Sequence, residues 1–295
     1  MEEVRRETHT NGSFPRYYSE RGVSSEHALD PRIRAMRPDW FNGRRCLDIG
    51  CHQGNVCLAL ARRWCCASVV GFDIDEKLIA RAQSTLARTR VGHSLSEPAA
   101  AAAAPDGGAE PAPTREGAQV GVKRAADGST RSAPQGSLPV ALALSLGLVA
   151  PAWRLAAPAP LFPHNVRFEA ADFTQASAVL ASGSLDTILC LSTSKWVHLN
   201  GGDRAIKAFF AEVYRLLAEG GVFVLEPQPW SSYRRKKHVS ETARAHYAQI
   251  RLRPERFPEF LVDHIGFRAV EQIKVEYDAL VSQGFASRPM YLFVK

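Results

Sequence analysis

Apolar and polar positions divide the chain into two patterned stretches around one without pattern. Arg45–Ile49 reads as a strand ending in L-D-I-G-C-H-Q-G-N, and Val56, Leu58, Leu60, Ala61 and Trp64 then give the broad apolar face of a helix over residues 56–64. Residues 68–72 form a second strand running into Asp73-Ile74-Asp75, and Leu78, Ile79, Ala82 and Leu86 line one side of a helix over 76–89. Patterning returns at Val166–Ala170, a strand leading into Ala171-Asp172-Phe173. Leu185–Leu191 is almost continuously apolar, as a central parallel strand buried on both faces requires. A helix over 202–217 points Ile206, Phe209, Phe210, Val213, Leu216 and Leu217 inward, with Gly220-Gly221 as its cap. Strand five follows at 222–225, then helices near 241–250 and 254–261 and two late strands at 270–275 and 289–293. Residues 192–196 and 226–237 read as loops.

This order predicts an α/β fold with a doubly wound, mostly parallel sheet closed by an antiparallel C-terminal pair of strands. Residues 1–15 form a polar leader, and 16–295 a single domain interrupted by an insertion at 91–160. The insertion is Ala, Pro, Gly and Ser with isolated charges, which cannot bury enough side chain to offset its ordering entropy, so disorder is expected there. Its apolar part, 138–150, is too short and too interrupted for a membrane span of about 20 residues. Residues 16–37 gather aromatics and cations, with one helical turn near Arg32 to Met36. They suit either a solvated leader packed on the core or a lid over a cofactor and an anionic substrate.

Composition narrows the class. A chain of 295 residues with 45% hydrophobic content supports one α/β core with an insertion. The net charge of +7 and pI near 9.2 favour an anionic partner, nucleic acid above all. Six cysteines without a C-x-x-C pair read as reduced core thiols, and the histidines lack metal-ligand spacing, so no metal site is expected. The first residues lack the apolar stretch of a secretory signal, which points to an intracellular protein.

The unusual residues fall at the carboxyl ends of the expected strands, where open α/β sheets keep their ligand crevice. Gly50 and Gly54 stand where the backbone turns sharply or admits a ligand. Asp73, 19 residues after Gly54, is placed to accept ribose hydroxyls. A dinucleotide site wants G-x-G-x-x-G, whereas this loop offers G-x-x-x-G with Asp48 two residues ahead. An acid there, with no pyrophosphate cradle, suits the cationic end of S-adenosylmethionine. An ordinary strand-to-helix turn remains the plain alternative. Asp172 and Phe173 suit an adenine, or equally a helix cap and a core ring.

Methyl transfer from a sulfonium is an in-line displacement, so the protein must align the acceptor and exclude water. A phosphate oxygen is already anionic and needs no base, only cations to hold it. After strand four stands Ser192-Thr193-Ser194-Lys195-Trp196, which supplies Lys195. Around the crevice lie Arg21, Arg32, Arg34, Lys195, Arg234, Arg235, Lys236 and Lys237, interleaved with Tyr17, Tyr18, Trp196, Trp230 and Tyr233. Cations among aromatics suit an RNA end. The R-R-K-K run also fits a solvated turn or a nuclear-import patch.

The motifs R-Y-Y, W-F-x-G-R, L-D-I-G-C, V-G-F-D-I-D, C-L-S-T-S-K-W-V-H-L-N, L-E-P-Q-P-W-S-S-Y and R-P-M-Y-L-F resemble those of the RNA methylphosphate-capping methyltransferases, over nearly all of 14–295 outside the insertion. The resemblance implies a Rossmann-like class I methyltransferase that moves a methyl group from S-adenosylmethionine to the γ-phosphate of a small nuclear RNA bearing a 5′ triphosphate. It implies that Tyr18, Arg32, Gly50, Cys51, His52, Asp73, Ile74, Asp172, Phe173 and Leu191 line the cofactor site, beside Asp48 and Gly54. It sets Tyr17, Arg21 and Lys195 toward the triphosphate, and implies a nuclear ribonucleoprotein setting with La-related protein and transcription-elongation components. A 5′ monophosphate end, a protein acceptor, a non-catalytic RNA scaffold and a cytoplasmic location are the rival expectations. The chain departs from the family pattern at His52 (usually Asn), at Asp172-Phe173 (usually Asn-Tyr) and at Gly201 (usually Trp), none of which removes a group the displacement needs.

Overall fold

Each of the central strands is apolar on both faces, so the sheet they form has to be covered on both sides. The computed structural model describes residues 11–12, 17–18, 30–96, 161–277, 285 and 288–295. Five strands pair in parallel: β1 (Arg45–Ile49), β2 (Ser68–Asp73), β3 (Val166–Ala170), β4 (Leu185–Leu191) and β5 (Leu217–Glu226). Two more, β6 (Ala269–Ile273) and β7 (Met290–Val294), join antiparallel. The order across the sheet is β3-β2-β1-β4-β5-β7-β6. Chain direction across the sheet therefore reverses between β1 and β4, which opens a crevice at their carboxyl ends.

Alternation along β1 sorts the two cores. Cys46 enters the cluster containing Val56, Leu60, Ile79 and Leu189, and Leu47 and Ile49 enter the opposite cluster with Ile188, Phe209, Phe210 and Phe223. The first cluster is covered by α1 (Pro31–Arg34), α2 (Asn55–Arg63) and α3 (Glu76–Ser96). The second lies under α4 (Phe173–Ala176), α5 (Ser194–Leu216) and the segment that includes α8 (Phe257–Phe260). Between α5 and α8 come α6 (Trp230–Lys236) and α7 (Glu241–Gln249), which share a small core of Leu199, Tyr233 and Ala243. Arg45 pins the start of β1 to β4 through three bonds to the Asp186 carboxylate, from its amide and Nε at 2.9 Å and from Nη2 at 3.0 Å.

Four expectations need correction. The helix after β4 begins at Ser194, not 202; Gly202 (φ +67, ψ −167) kinks it, so the apolar pattern on either side of the kink is out of phase. Residues 230–236, expected in a loop, form α6, started by Pro229 and held by the burial of Ser232 and Tyr233. Gly220 and Gly221 do not cap α5. They form an irregularity inside β5, where pairing jumps from Leu185↔Leu217 to Thr187↔Val222 and Gly220 takes φ +71. The end of α5 is closed instead by Lys295 Nζ, which donates to the carbonyls of Tyr214 (2.8 Å) and Leu217 (2.7 Å). Finally, α3 runs on to Ser96, into the segment expected to be an insertion, while 97–160 and most of 1–29 lie outside the described residues.

Phe210 is fully buried among Phe209, Phe223 and Phe257, with its nearest ring centroid 5.1 Å away. Phe210→Ala is expected to lower stability by about 3 to 5 kcal/mol, read as an earlier midpoint in chemical denaturation.

Candidate active site

The loop after β1 is built by left-handed residues. Gly50 takes φ +79 and Gly54 φ +77, and a Cβ on Gly50 would collide with the Thr193 side chain while one on Gly54 would collide with the Phe168 ring. Between them His52 also adopts a positive φ, +54, a conformation that His and Asn enter more readily than most residues. The loop is tied to β2: Gly50 and Cys51 donate their amides to the Phe72 carbonyl (2.8 and 2.9 Å), and His52 donates to Asp73 Oδ2 (2.8 Å). Asp73 Oδ1 accepts the Asp75 amide at 3.0 Å. Each carboxylate oxygen has a second acceptor direction left for a ligand hydroxyl.

At the carboxyl ends of β1 to β4 a cleft of about 280 Å³ opens. Its walls carry Gly50, His52, Asp73, Ile74, Asp172, Phe173 and Leu191, all expected at a cofactor site, together with Tyr17. Trp196, Val197 and Asn200 of α5 complete one side, and Asn11, which accepts a bond from Asn200 Nδ2 at 3.0 Å, lies against it. Ile74 is 46% exposed although large and apolar, and faces the same cleft as buried Phe173. An acid at one wall and apolar surfaces beside it fit an adenosine: the carboxylate accepts ribose hydroxyls and the apolar groups receive the base. Asp172 also caps α4 through its bond to the Thr174 amide, and Phe173 also packs on Phe209, so the structural roles coexist with the cleft. The family departures at His52, Asp172, Phe173 and Gly201 all line this cleft.

Other expected residues stand behind the wall. Gly54 begins α2 and packs against Phe168. Cys51 is buried beneath the loop. Asp48 is 2% exposed and accepts a weak bond from the Cys57 thiol at 3.4 Å. Tyr18 stacks edge-on against Tyr17 and His52. Arg32 is fully enclosed: it binds Asp30 at 2.6 Å and Glu226 at 2.9 Å, and donates to the Tyr17 hydroxyl at 3.3 Å. Arg21 lies outside the described residues.

Lys195 stands in the first turn of α5, 4% exposed, its Nζ 3.0 Å from Ser232 Oγ and 4.4 Å from the centre of the Trp196 ring. Burial pushes its ammonium down to about 7, and Arg288, Lys236 and Arg235 push in the same direction. Sequence reasoning missed Ser192, Glu226, Gln228 and Arg288. Ser192, at φ +67, gives its hydroxyl hydrogen to Glu226 Oε2, and Arg288 Nη1 donates to Ser192 Oγ at 2.7 Å. Only the polar residues within L-E-P-Q-P hinted at this, and polar residues in a loop usually face water. Among the described residues no group of three or more His, Cys, Asp and Glu could hold a metal, and the six thiols are unbridged. No helix of the described residues is long and apolar enough to cross a membrane.

Fold and cleft together are those of a class I methyltransferase domain. General methyltransferase-domain models match residues 46–107 and 129–225, and the Bicoid-interacting protein 3 model matches 185–295. The chain is 37% identical over 290 residues to a 7SK snRNA methylphosphate capping enzyme of Homo sapiens, covering 96% of this chain and 39% of that protein. It is 36% identical over 279 residues to a probable RNA methyltransferase of Arabidopsis thaliana, covering 95% of this chain and 79% of that protein. A U6 snRNA methylphosphate capping enzyme of Drosophila melanogaster is 27% identical over 289 residues, with 96% and 74% covered. The chain belongs to the RNA methylphosphate-capping methyltransferase family. It spans about two fifths of the length of its human and mouse relatives.

Asp73→Ala is expected to weaken S-adenosylmethionine binding by about 1 to 3 kcal/mol, measured by titration calorimetry, with unchanged affinity arguing against the ribose role. Asp48 carries a second prediction. Burial pushes its carboxyl from 3.8 up to about 7, against the opposing pull of Cys57 and Arg32. A folded value above the unfolded one gives a contribution to stability that is complete below the unfolded value and lost as pH rises through 7. Asp48→Asn is therefore expected to remove part of the stability loss between about pH 4 and about pH 7, followed by denaturation midpoints at each pH.

Proposed function

We propose that this protein methylates the γ-phosphate at the 5′ triphosphate end of a small nuclear RNA. The observation that carries the reading is Lys195: a buried cation beside the cofactor cleft, with Arg288, Lys236 and Arg235 acting on it as like charges. A buried ammonium is costly to keep charged, and an anion with several negative charges offsets that cost. The relatives named for capping 7SK and U6 RNAs support a terminal phosphate as that anion.

S-adenosylmethionine supplies an electrophilic methyl group on a sulfonium when bound. The protein's own task is to hold and align. Asp73, Ile74, Asp172 and Phe173 hold the adenosine end, while Gly50, His52 and Leu191 shape the rest of the wall. Lys195 and Tyr17 face the phosphates; Arg21, expected beside them, lies outside the described residues. An ionised phosphate oxygen loses no proton on methylation, so no general base is required, and a partly neutral Lys195 regains its proton as the phosphate arrives. Tyr17 packs against His52 and Phe285, and Arg288 covers the Phe285 ring at 4.2 Å; this aromatic cover keeps water from the methyl group. A nuclear ribonucleoprotein setting, with La-related and transcription-elongation proteins alongside, follows from the same reading.

Labelled S-adenosylmethionine with RNAs ending in 5′ triphosphate, monophosphate or hydroxyl tests this. Label is expected on the triphosphate RNA, and Lys195→Ala is expected to slow its transfer more than it weakens cofactor binding. Equal transfer to all ends would overturn the γ-phosphate claim, preference for the monophosphate would align the protein with relatives named RNA 5′-monophosphate methyltransferase, and RNA binding without label would make it a scaffold.

A further inference from the structure

Gln228 is 2% exposed, two residues beyond the end of β5, and both ends of its carboxamide are engaged. Nε2 donates to the Ser192 carbonyl, and Oε1 accepts the Lys195 amide hydrogen at 3.3 Å. One side chain thus bridges the two ends of the turn that leads from β4 into α5. A carboxamide offers a donor and an acceptor on opposite sides of one plane, and a carbonyl and an N–H three residues apart need that pair. The turn is a conformation the chain would not adopt by itself, since Ser192 takes φ +67. Glu226 helps to impose it: its carbonyl accepts the Ser192 amide at 3.0 Å and its Oε2 accepts the Ser192 hydroxyl.

We propose that Gln228 is a positioning residue for methyl transfer, holding the Ser192-to-Lys195 turn so that the Lys195 ammonium is delivered to the acceptor side of the crevice. The inference rests on the reading of Lys195 as the phosphate-holding group. Gln228 itself touches neither cofactor nor phosphate; it acts through the backbone of the turn. The geometry is unusually exacting because the same short segment also brings Thr193 against Gly50, so a shift of Lys195 is not absorbed by the cofactor loop.

Gln228→Met in the full chain keeps the length and removes both bonds. With triphosphate-ended RNA, kcat is expected to fall by about 100-fold, the scale of a misplacement near 1 Å. Affinity for S-adenosylhomocysteine is expected to change little, while the melting temperature falls by a few degrees as the Ser192 carbonyl and the Lys195 amide lose their partner. The Lys195 titration, followed by NMR on isotopically methylated lysines, is expected to move up toward an ordinary lysine as its burial loosens. Gln228→Asn, one methylene too short to reach both ends, is expected to shift kcat and titration in the same direction, and provides the test if the methionine variant does not fold. An unchanged kcat and titration, or parallel loss of kcat, cofactor affinity and melting temperature, would overturn the inference. Lys195→Ala separates the two readings: full transfer in that variant sinks the phosphate role, whereas lost transfer there with an unmoved Lys195 titration in Gln228→Met sinks the positioning role alone.

Discussion

A carboxylate with no access to water must be matched by cations and donors, and Glu226 meets that condition only by drawing four parts of the chain together. Its Oε2 is shared by Arg32 from the segment ahead of β1 and by Ser192 from the end of β4, and Ser192 in turn accepts from Arg288 ahead of β7. Arg32 is balanced further by Asp30. Removing one partner of such a set leaves a buried charge uncompensated, which costs about 3 to 5 kcal/mol in comparable cases. The acceptor side of the crevice is therefore not a set of independent loops. Its shape follows from one neutralised chain of groups, Asp30, Arg32, Glu226, Ser192 and Arg288.

The cofactor side obeys a different constraint, close backbone approach. Left-handed Gly50 and Gly54 let the loop after β1 pass under Thr193 and over Phe168, and the loop in turn lends the His52 amide to Asp73. The Asp73 carboxylate is thus oriented by backbone before any ligand arrives, which lowers the ordering cost of binding. Asp48 and Cys51 belong to the support beneath this loop, and Asp48 is held close to neutrality by its burial.

Between the two sides lies Lys195, tied through its backbone to Gln228 and through its ammonium to Ser232. A strongly hydrated surface lysine would bind phosphate weakly and from many directions. A desolvated one on the first turn of a packed helix offers a single direction and a stronger field. The Trp196 ring, its centre 4.4 Å from the Lys195 ammonium, adds to those low-dielectric surroundings.

The sequence by itself determined the strands, because runs such as L-D-T-I-L-C-L have no other way to bury both faces, and it determined the glycine loop and Asp73, because their spacing is local. Lys195 was legible for the same reason, standing directly after an evident strand. The resemblance of whole motifs supplied the family and, with it, the proposed acceptor. Tertiary structure alone decided that Arg32 spends its guanidinium on Asp30 and Glu226, that α5 starts before its kink at Gly202, and that Gln228 bridges a strained turn. The Arg32–Glu226 pair and the Gln228 bridge join groups 33 to 194 residues apart in the chain that meet away from water. A polar side chain in a loop carries no mark in sequence of whether it will face solvent or a buried partner; only the closing of the sheet and its helices removes the water and makes the pairing obligatory.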